Sequence, residues 1–277
     1  MKNIPISFEF FPPNTPTGVE KLRATRASLQ AFKPEFFSVT YGAGGAAQAK
    51  TMNTVLEMKA EGLSVAPHIS CIGSTRDSIE QLLAQYHQAG INRIVALRGD
   101  LPSGSGLGHG GQFQYAADLV RFVREKFNND FSIEVAAYPE KHPQSESPQN
   151  DLKAFVSKAN AGADAAITQY FFNPDAYFRF RDEAVKAGVS IPIMPGIMPI
   201  TNYTQLARFS DACGAEIPRW IRQRLAGFGD DTDSVKAFGH EVVTNLCETL
   251  IAGGVPGLHF YTLNQPAPTI ALCEALA

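Results

Sequence analysis

Residues 6–13 read "ISFEFFPP". Aromatic and β-branched residues over 6–11, closed by a proline pair, describe a strand that stops where the prolines begin. Glu9 stands in it among Phe8, Phe10 and Phe11. A carboxylate is costly to bury unless it is paired, hydrogen-bonded or neutralised. Side chains alternate across a strand, so Glu9 shares its face with Ser7 and Phe11, while Phe8 and Phe10 point the other way. The stretch therefore predicts a strand that is apolar on one face and carries a carboxyl group near its C-terminal end on the other.

Outward from this strand, short β-rich runs recur about every 30 residues, the length of a strand–helix–strand unit. They lie at 36–41, 64–71, 93–97, 132–138, 165–172, 191–197 and 258–263. Amphipathic, helix-length sequence separates them, marked for instance by Leu22, Thr25, Leu29 and Phe32, and by Leu119, Phe122, Val123 and Phe127. Gly62, Gly90, Gly162 and Gly188 stand where helices must close before the next strand. Eight strands alternating with helices predict an α/β fold, a (β/α)8 TIM barrel forming one catalytic domain over residues 1–277. The long seventh interval, 201–257, predicts extra helical sequence before strand eight. An open doubly wound sheet is the alternative.

Composition narrows the function. The 277 residues are 44% hydrophobic and 18% charged, with net charge −3 and pI about 6.1. No basic field is available for nucleic acid or an anionic membrane. No apolar run approaches the ~18 residues of a spanning helix. Strand character by Ile6 leaves no room for a signal peptide. Cys71, Cys213, Cys247 and Cys273 lack CxxC spacing and read as reduced thiols, which predicts a cytoplasmic chain without a structural zinc.

In a barrel, chemistry gathers at the C-terminal strand ends. Those ends offer Glu9, then Thr40 and Tyr41, His68, Arg98-Gly99-Asp100, Tyr138 with Glu140 and His142, Gln169, and Tyr261 with Asn264. Each has a plainer reading. Glu9 could pair with Arg98, His68 could be a satisfied core histidine, and Asp100 before Leu101-Pro102 could form a turn. The run "SGSGLGHGG" at 103–111 lacks the GK[ST] ending of a phosphate loop and reads as a lid or connector. His87, His240 and His259 show no metal-ligand spacing. No lysine lies inside the predicted strands, which removes Schiff-base aldolase chemistry. Convergence of Glu9, His68 and Asp100 keeps a metal-dependent lyase as an alternative.

Eight motifs come in register at the strand ends: "SFEFFPP" (7–13), "SVTYGAGG" (38–45), "APHISC" (66–71), "ALRGDLP" (96–102), "VAAYPEKHP" (135–143), "ITQYFF" (167–172), "PGIMPI" (195–200) and "HFYTLN" (259–264). Together they resemble the bacterial-type 5,10-methylenetetrahydrofolate reductases, FAD-dependent barrel enzymes. The resemblance implies FAD at the C-terminal face, reduction by NADH or NADPH in a ping-pong exchange, methylenetetrahydrofolate as the second substrate, and a homo-oligomer. It implies a flavin site of Thr40, Tyr41, Ala43, His68, Arg98, Gly99, Asp100, Tyr115, Ala116, Tyr138 and His142. Asp151, Ala154, Ser157 and Lys158 would lie by the diphosphate or adenosine side. Gln169, Gln205, Phe209 and Gln265 would meet substrate, with Glu9 and Asp100 as catalytic acids. Three positions depart from the family: Ala154 and Ser157 replace asparagine and arginine, and Gln265 replaces an arginine facing the folate tail. Glu9, as proton donor to the folate, is expected to stay protonated near neutral pH because apolar neighbours, Phe11 among them, disfavour its charge.

Overall fold

The computed structural model describes residues 4–41, 45–99 and 111–277. Strands and helices alternate along them: β1 (Ile6–Phe10), α1 (Pro16–Gln30), β2 (Phe36–Val39), α2 (Gly45–Ala60), β3 (Val65–Ser70), α3 (Arg76–Gln88), β4 (Arg93–Leu97), α4 (Ala116–Phe127), β5 (Ser132–Ala137), α5 (Pro148–Asn160), β6 (Ala165–Thr168) and α6 (Pro174–Lys186). Then come β7 (Ile193–Met194), β8 (Gly196–Ile197), α7 (Tyr203–Cys213), α8 (Arg219–Phe228), α9 (Thr232–Ala252), β9 (Leu258–Tyr261) and α10 (Pro266–Ala275).

All strand pairs are parallel, in the order β7-β6-β5-β4-β3-β2-β1-β9-β8. β1 pairs with both β2 and β9, and the two ends of the strand order, β7 and β8, are separated by Pro195 alone, so the sheet closes on itself and the open doubly wound alternative falls. The stave expected at 191–197 is two short strands instead. Pro195 stands between them and lacks the N–H that a continuous ladder needs. β7 pairs with β6 and β8 with β9, so this broken stave closes an eight-staved barrel. The stretches 36–41 and 165–172 leave the sheet early, at Val39 and Thr168. Tyr170, Phe171 and Phe172 stay buried although their backbone is no longer paired, so hydrophobicity there marks a buried loop rather than more strand. The 201–257 interval holds α7, α8 and α9.

Sequence explains the helix starts. Thr15, Ser147 and Asn173 each cap a helix through a side-chain oxygen, with proline just behind, where a missing N–H costs nothing. Gly62, Gly90, Gly162 and Gly188 carry positive φ after their helices, as expected of glycine.

Residues facing each other in register point to the same side of a sheet. Phe8 and Phe10 stack with Phe37, and Phe8 also meets Phe260, all within the main core between barrel and helices. Ser7 and Glu9 lie on the other face, opposite Phe36, Ser38, His259 and Tyr261. The lower interior is filled by Phe36, Ala66, Val95, Ile167 and Met194. The upper interior is polar.

Candidate active site

Two strand exits hold Glu9 in place. Thr262 Oγ1 donates to the Glu9 carbonyl at 2.6 Å. Asn264, at φ 57°, accepts from Phe11 N and donates to Phe11 O, both at 2.9 Å. The strand that ends "HFYTLN" is thus stitched to the one that ends "FEFF".

Glu9 Oε2 lies 3.2 Å from His68 Nε2 and 3.6 Å from His259 Nε2. These are ion-pair distances, but neither imidazole N–H has the alignment of a hydrogen bond. His259 is anchored on its other side, where Nδ1 shares a 2.7 Å hydrogen bond with Ser7 Oγ. Burial alone would raise the Glu9 pKa, but the charges and contacts of the two imidazoles outweigh it and hold the carboxyl down at about 2. The expectation of a protonated Glu9 in apolar surroundings is therefore corrected: in this arrangement Glu9 is a carboxylate between two histidines. Phe11 is not its shield either, being 43% exposed at the rim. Nor is Arg98 its partner, since that guanidinium bonds Gln144 and the Gly99 carbonyl.

Tyr261 crosses the barrel beside this cluster. Its hydroxyl donates to Thr168 O at 2.6 Å, and its ring lies 5.3 Å from that of His259. Gly196 makes room for it. A Cβ there would sit 2.2 Å from Thr168 O and 2.6 Å from Tyr261 Cε2.

The other expected residues ring the same end of the barrel. Thr40, half-buried, continues the β1–β2 pairing by donating its N–H to Phe10 O, and burial raises the neighbouring Tyr41 phenol. Gly99 takes φ 87°, and a Cβ would strike Ser70 Oγ, so glycine is required after Arg98. Tyr115 lies exposed at the start of α4, with Ala116 behind it and Asp118 accepting from the Tyr115 N–H. The rings of Tyr138 and His142 meet edge-on at 4.6 Å. Asp151 accepts from His142 N, tying the start of α5 to the end of β5.

Lys158, further along α5, donates to Ala136 O at 2.5 Å. Its half-buried ammonium is lowered to about 8, first by desolvation and further by the charge of Arg98, against the pull of Asp151. Ala154 and Ser157 are exposed on α5. Gln169 is half-buried and accepts from Tyr170 N, while Gln205 and Phe209 share α7. Gln265 is the exposed cap residue of α10, where its side chain makes no cap bond. Ala43 and Asp100 lie outside the described residues, as do residues 103–110 of the glycine-rich run.

Sequence reasoning passed over His259, and with it the function of Ser7. The signal was there: His259 stands two residues before Tyr261, hence on the same face, on the strand that must close against β1.

Comparison with known proteins gives one answer. The sequence profile described as methylenetetrahydrofolate reductase matches residues 1–277. The 5,10-methylenetetrahydrofolate reductase of Escherichia coli is 42% identical over 274 residues, covering 99% of this chain and 90% of that protein. Methylenetetrahydrofolate reductase (NADH) 1 of Arabidopsis thaliana is 36% identical over 278 residues, covering 96% of this chain and 47% of the plant protein. Among solved structures, an uncharacterised Clostridium thermocellum protein described as binding two copies of 5-methyl-5,6,7,8-tetrahydrofolic acid superposes with a TM-score of 0.69. The superposition covers 98% of this chain and 93% of that one at 17% identity, a likeness of fold alone. A profile match from end to end and relatives this similar over nearly all of its length mean that the chain belongs to the methylenetetrahydrofolate reductase family.

Proposed function

We propose that this protein reduces 5,10-methylenetetrahydrofolate to 5-methyltetrahydrofolate through a bound FAD that NADH or NADPH reduces first, in a ping-pong exchange that supplies methyl groups for methionine synthesis. The observation that carries this reading is the buried Glu9, His68 and His259 cluster at the C-terminal end of the barrel. Family membership supplies the substrate.

The residues present suit a flavin with a diphosphate. Arg98 is close enough for its positive charge to disfavour that of Lys158, in a chain of net charge −3. Two such cations are relieved by an anion between them. Arg98 and Lys158 would hold the diphosphate, with Asp151, Ala154 and Ser157 on the same helix face or edge. Thr40, Tyr41, Ala43, His68, Gly99, Asp100, Tyr115, Ala116, Tyr138 and His142 would line the rings. Gln169, Gln205, Phe209 and Gln265 would meet the folate and the nicotinamide. When bound, the flavin supplies hydride acceptance and donation.

The chain's own contribution is a proton. Opening the imidazolidine ring of the folate requires protonation of the departing nitrogen, and Glu9 is the buried acid at hand. Its low pKa makes it a carboxylate before substrate binds. Excluding water from the barrel mouth disfavours that charge and favours the neutral acid. His68 and His259 position the carboxyl group from either side. The reading also makes the protein a cytoplasmic homo-oligomer. Its cysteines are free thiols, and among the described residues no helix is long and apolar enough to cross a membrane.

Rapid mixing of the two half-reactions tests this. Flavin reduction by NADH is a direct hydride transfer and needs no acid, so Glu9→Gln should keep its FAD and be reduced at near wild-type rate. Its reduced form should fail to reduce methylenetetrahydrofolate. Equal slowing of both halves would make Glu9 a structural group.

A further inference from the structure

Ser7 is buried inside the barrel, where a hydroxyl is costly unless it is hydrogen-bonded. Register places it directly opposite His259, and its side chain makes one hydrogen bond among the described residues, the 2.7 Å contact with His259 Nδ1. Proton donation by Glu9 does not by itself explain this pair. An alanine opposite an apolar residue would fill the same two positions with no polar group to satisfy.

Geometry decides which way the hydrogen bond runs. His259 is fully buried, its ring stacked on Phe36 at 6.1 Å and met edge-on by Tyr261 at 5.3 Å. Packed so, the ring turns Nδ1 to Ser7 and Nε2 to Glu9. Nε2 has no hydrogen-bond partner and lies 3.6 Å from Glu9 Oε2. If Nδ1 carried a hydrogen, Ser7 would have to accept it, and the buried Ser7 hydroxyl hydrogen would be left without an acceptor. If Nε2 were bare as well, its lone pair would face a carboxylate. Both costs vanish when Ser7 donates to a bare Nδ1 and the ring hydrogen sits on Nε2. The bond made by one ring nitrogen sets the state of the other. The electrostatics agree. Burial raises the Glu9 carboxyl, and of the influences that lower it the charge of His68 is the largest and that of His259 the smallest.

We propose that Ser7 is a positioning residue for the folate half-reaction: its hydroxyl fixes His259 as the Nε2–H tautomer, which aims a donor at Glu9 Oε2. That donor holds one carboxyl oxygen and leaves the other for the departing nitrogen of the folate. Ser7 and Glu9, two apart on one strand and so on the same face, address the two nitrogens of one ring. The inference rests on the proposed role of Glu9 as the acid.

Solid-state 15N spectra of the FAD-loaded protein, labelled at the histidine ring nitrogens, read the tautomer, and His259→Gln identifies its signals among the six histidines. The expected result is a bare Nδ1 and a protonated Nε2 in the wild type and in Ser7→Thr. In Ser7→Ala a protonated Nδ1 should appear. Rapid mixing should show Ser7→Ala about tenfold slower in the folate half-reaction, the effect of losing one hydrogen bond to a charged group. Flavin reduction by NADH should be slowed much less, and Ser7→Thr should restore the folate rate. A protonated Nδ1 in the wild type would overturn the proposal. So would a Ser7→Ala variant that slows both half-reactions equally, or one whose spectrum and folate rate match the wild type. The wild-type tautomer is read without turnover, so it is decided separately from the proposed reaction.

Discussion

Gln265 stands exposed where α10 begins, and its side chain caps nothing. The helix start does not depend on it, so a longer side chain can replace it without cost to the fold. If the glutamate tail of folate passes this rim, an arginine would add a charge-assisted hydrogen bond worth about 1.5–3 kcal/mol. Gln265→Arg is therefore expected to lower the folate KM by about ten- to a hundredfold and leave the NADH half-reaction unchanged. Steady-state kinetics with each substrate varied in turn would show it, and an unchanged folate KM would put the tail elsewhere. Glu9 shows how context sets such a residue. Its strand neighbours suggested a neutral carboxyl, yet its ionisation is governed by His68 and His259, which reach it from β3 and β9.

At the scale of the element, the broken stave of β7 and β8 must keep its glycine, because a Cβ there would meet both Thr168 O and the Tyr261 ring. Gly196 N donates to Thr168 Oγ1 at 2.9 Å while the Tyr261 ring fills the space where a Cβ would be. Gly196→Ala forces Tyr261 or β6 to move, and overpacking of this kind costs about 1–3 kcal/mol. A lowered denaturant midpoint, with loss of the Tyr261 to Thr168 hydrogen bond, is the expected outcome. The repeat of strands and helices was legible because alternation and glycine stops are local properties. So was the position of Glu9 near the end of β1. The break at Pro195 was not, because the two halves pair with different neighbours. His259 escaped for a similar reason: its partners Ser7 and Glu9 lie some 250 residues away. Only the closure of the barrel brings them together.

For the whole molecule, carboxylates with shifted pKa values set opposite pH limits. Glu9 and Glu57 are held at about 2 in the fold against an ordinary 4.5, Glu57 by Arg23 and Arg26. Their contributions are present above pH 4.5 and are lost as the pH falls towards 2. Glu134 behaves in reverse. It points into the barrel beside Arg93, with Oε2 buried and lacking a hydrogen-bond partner, and burial raises it to about 7. The folded protein prefers Glu134 protonated, so its contribution is full below pH 4.5 and declines as the pH rises through 7. Glu134→Gln should accordingly raise Tm at neutral and alkaline pH, by the equivalent of about 3 kcal/mol at most, and change little below pH 4.5. Thermal melts over a pH series would check it. A uniform shift at every pH would show that packing, not ionisation, is what changed.

The pairing of β1 with β9 also orders events in time. β1 emerges early from the ribosome, but one of its two edges has no mate until Leu258–Tyr261 has been made. Through nearly all of synthesis the growing chain carries an unpaired edge, the kind of surface that invites association with other chains. Closure across so long a loop is slow. The same last strand brings His259 and Tyr261 to Glu9, so the Glu9 site is assembled only with completion of the barrel.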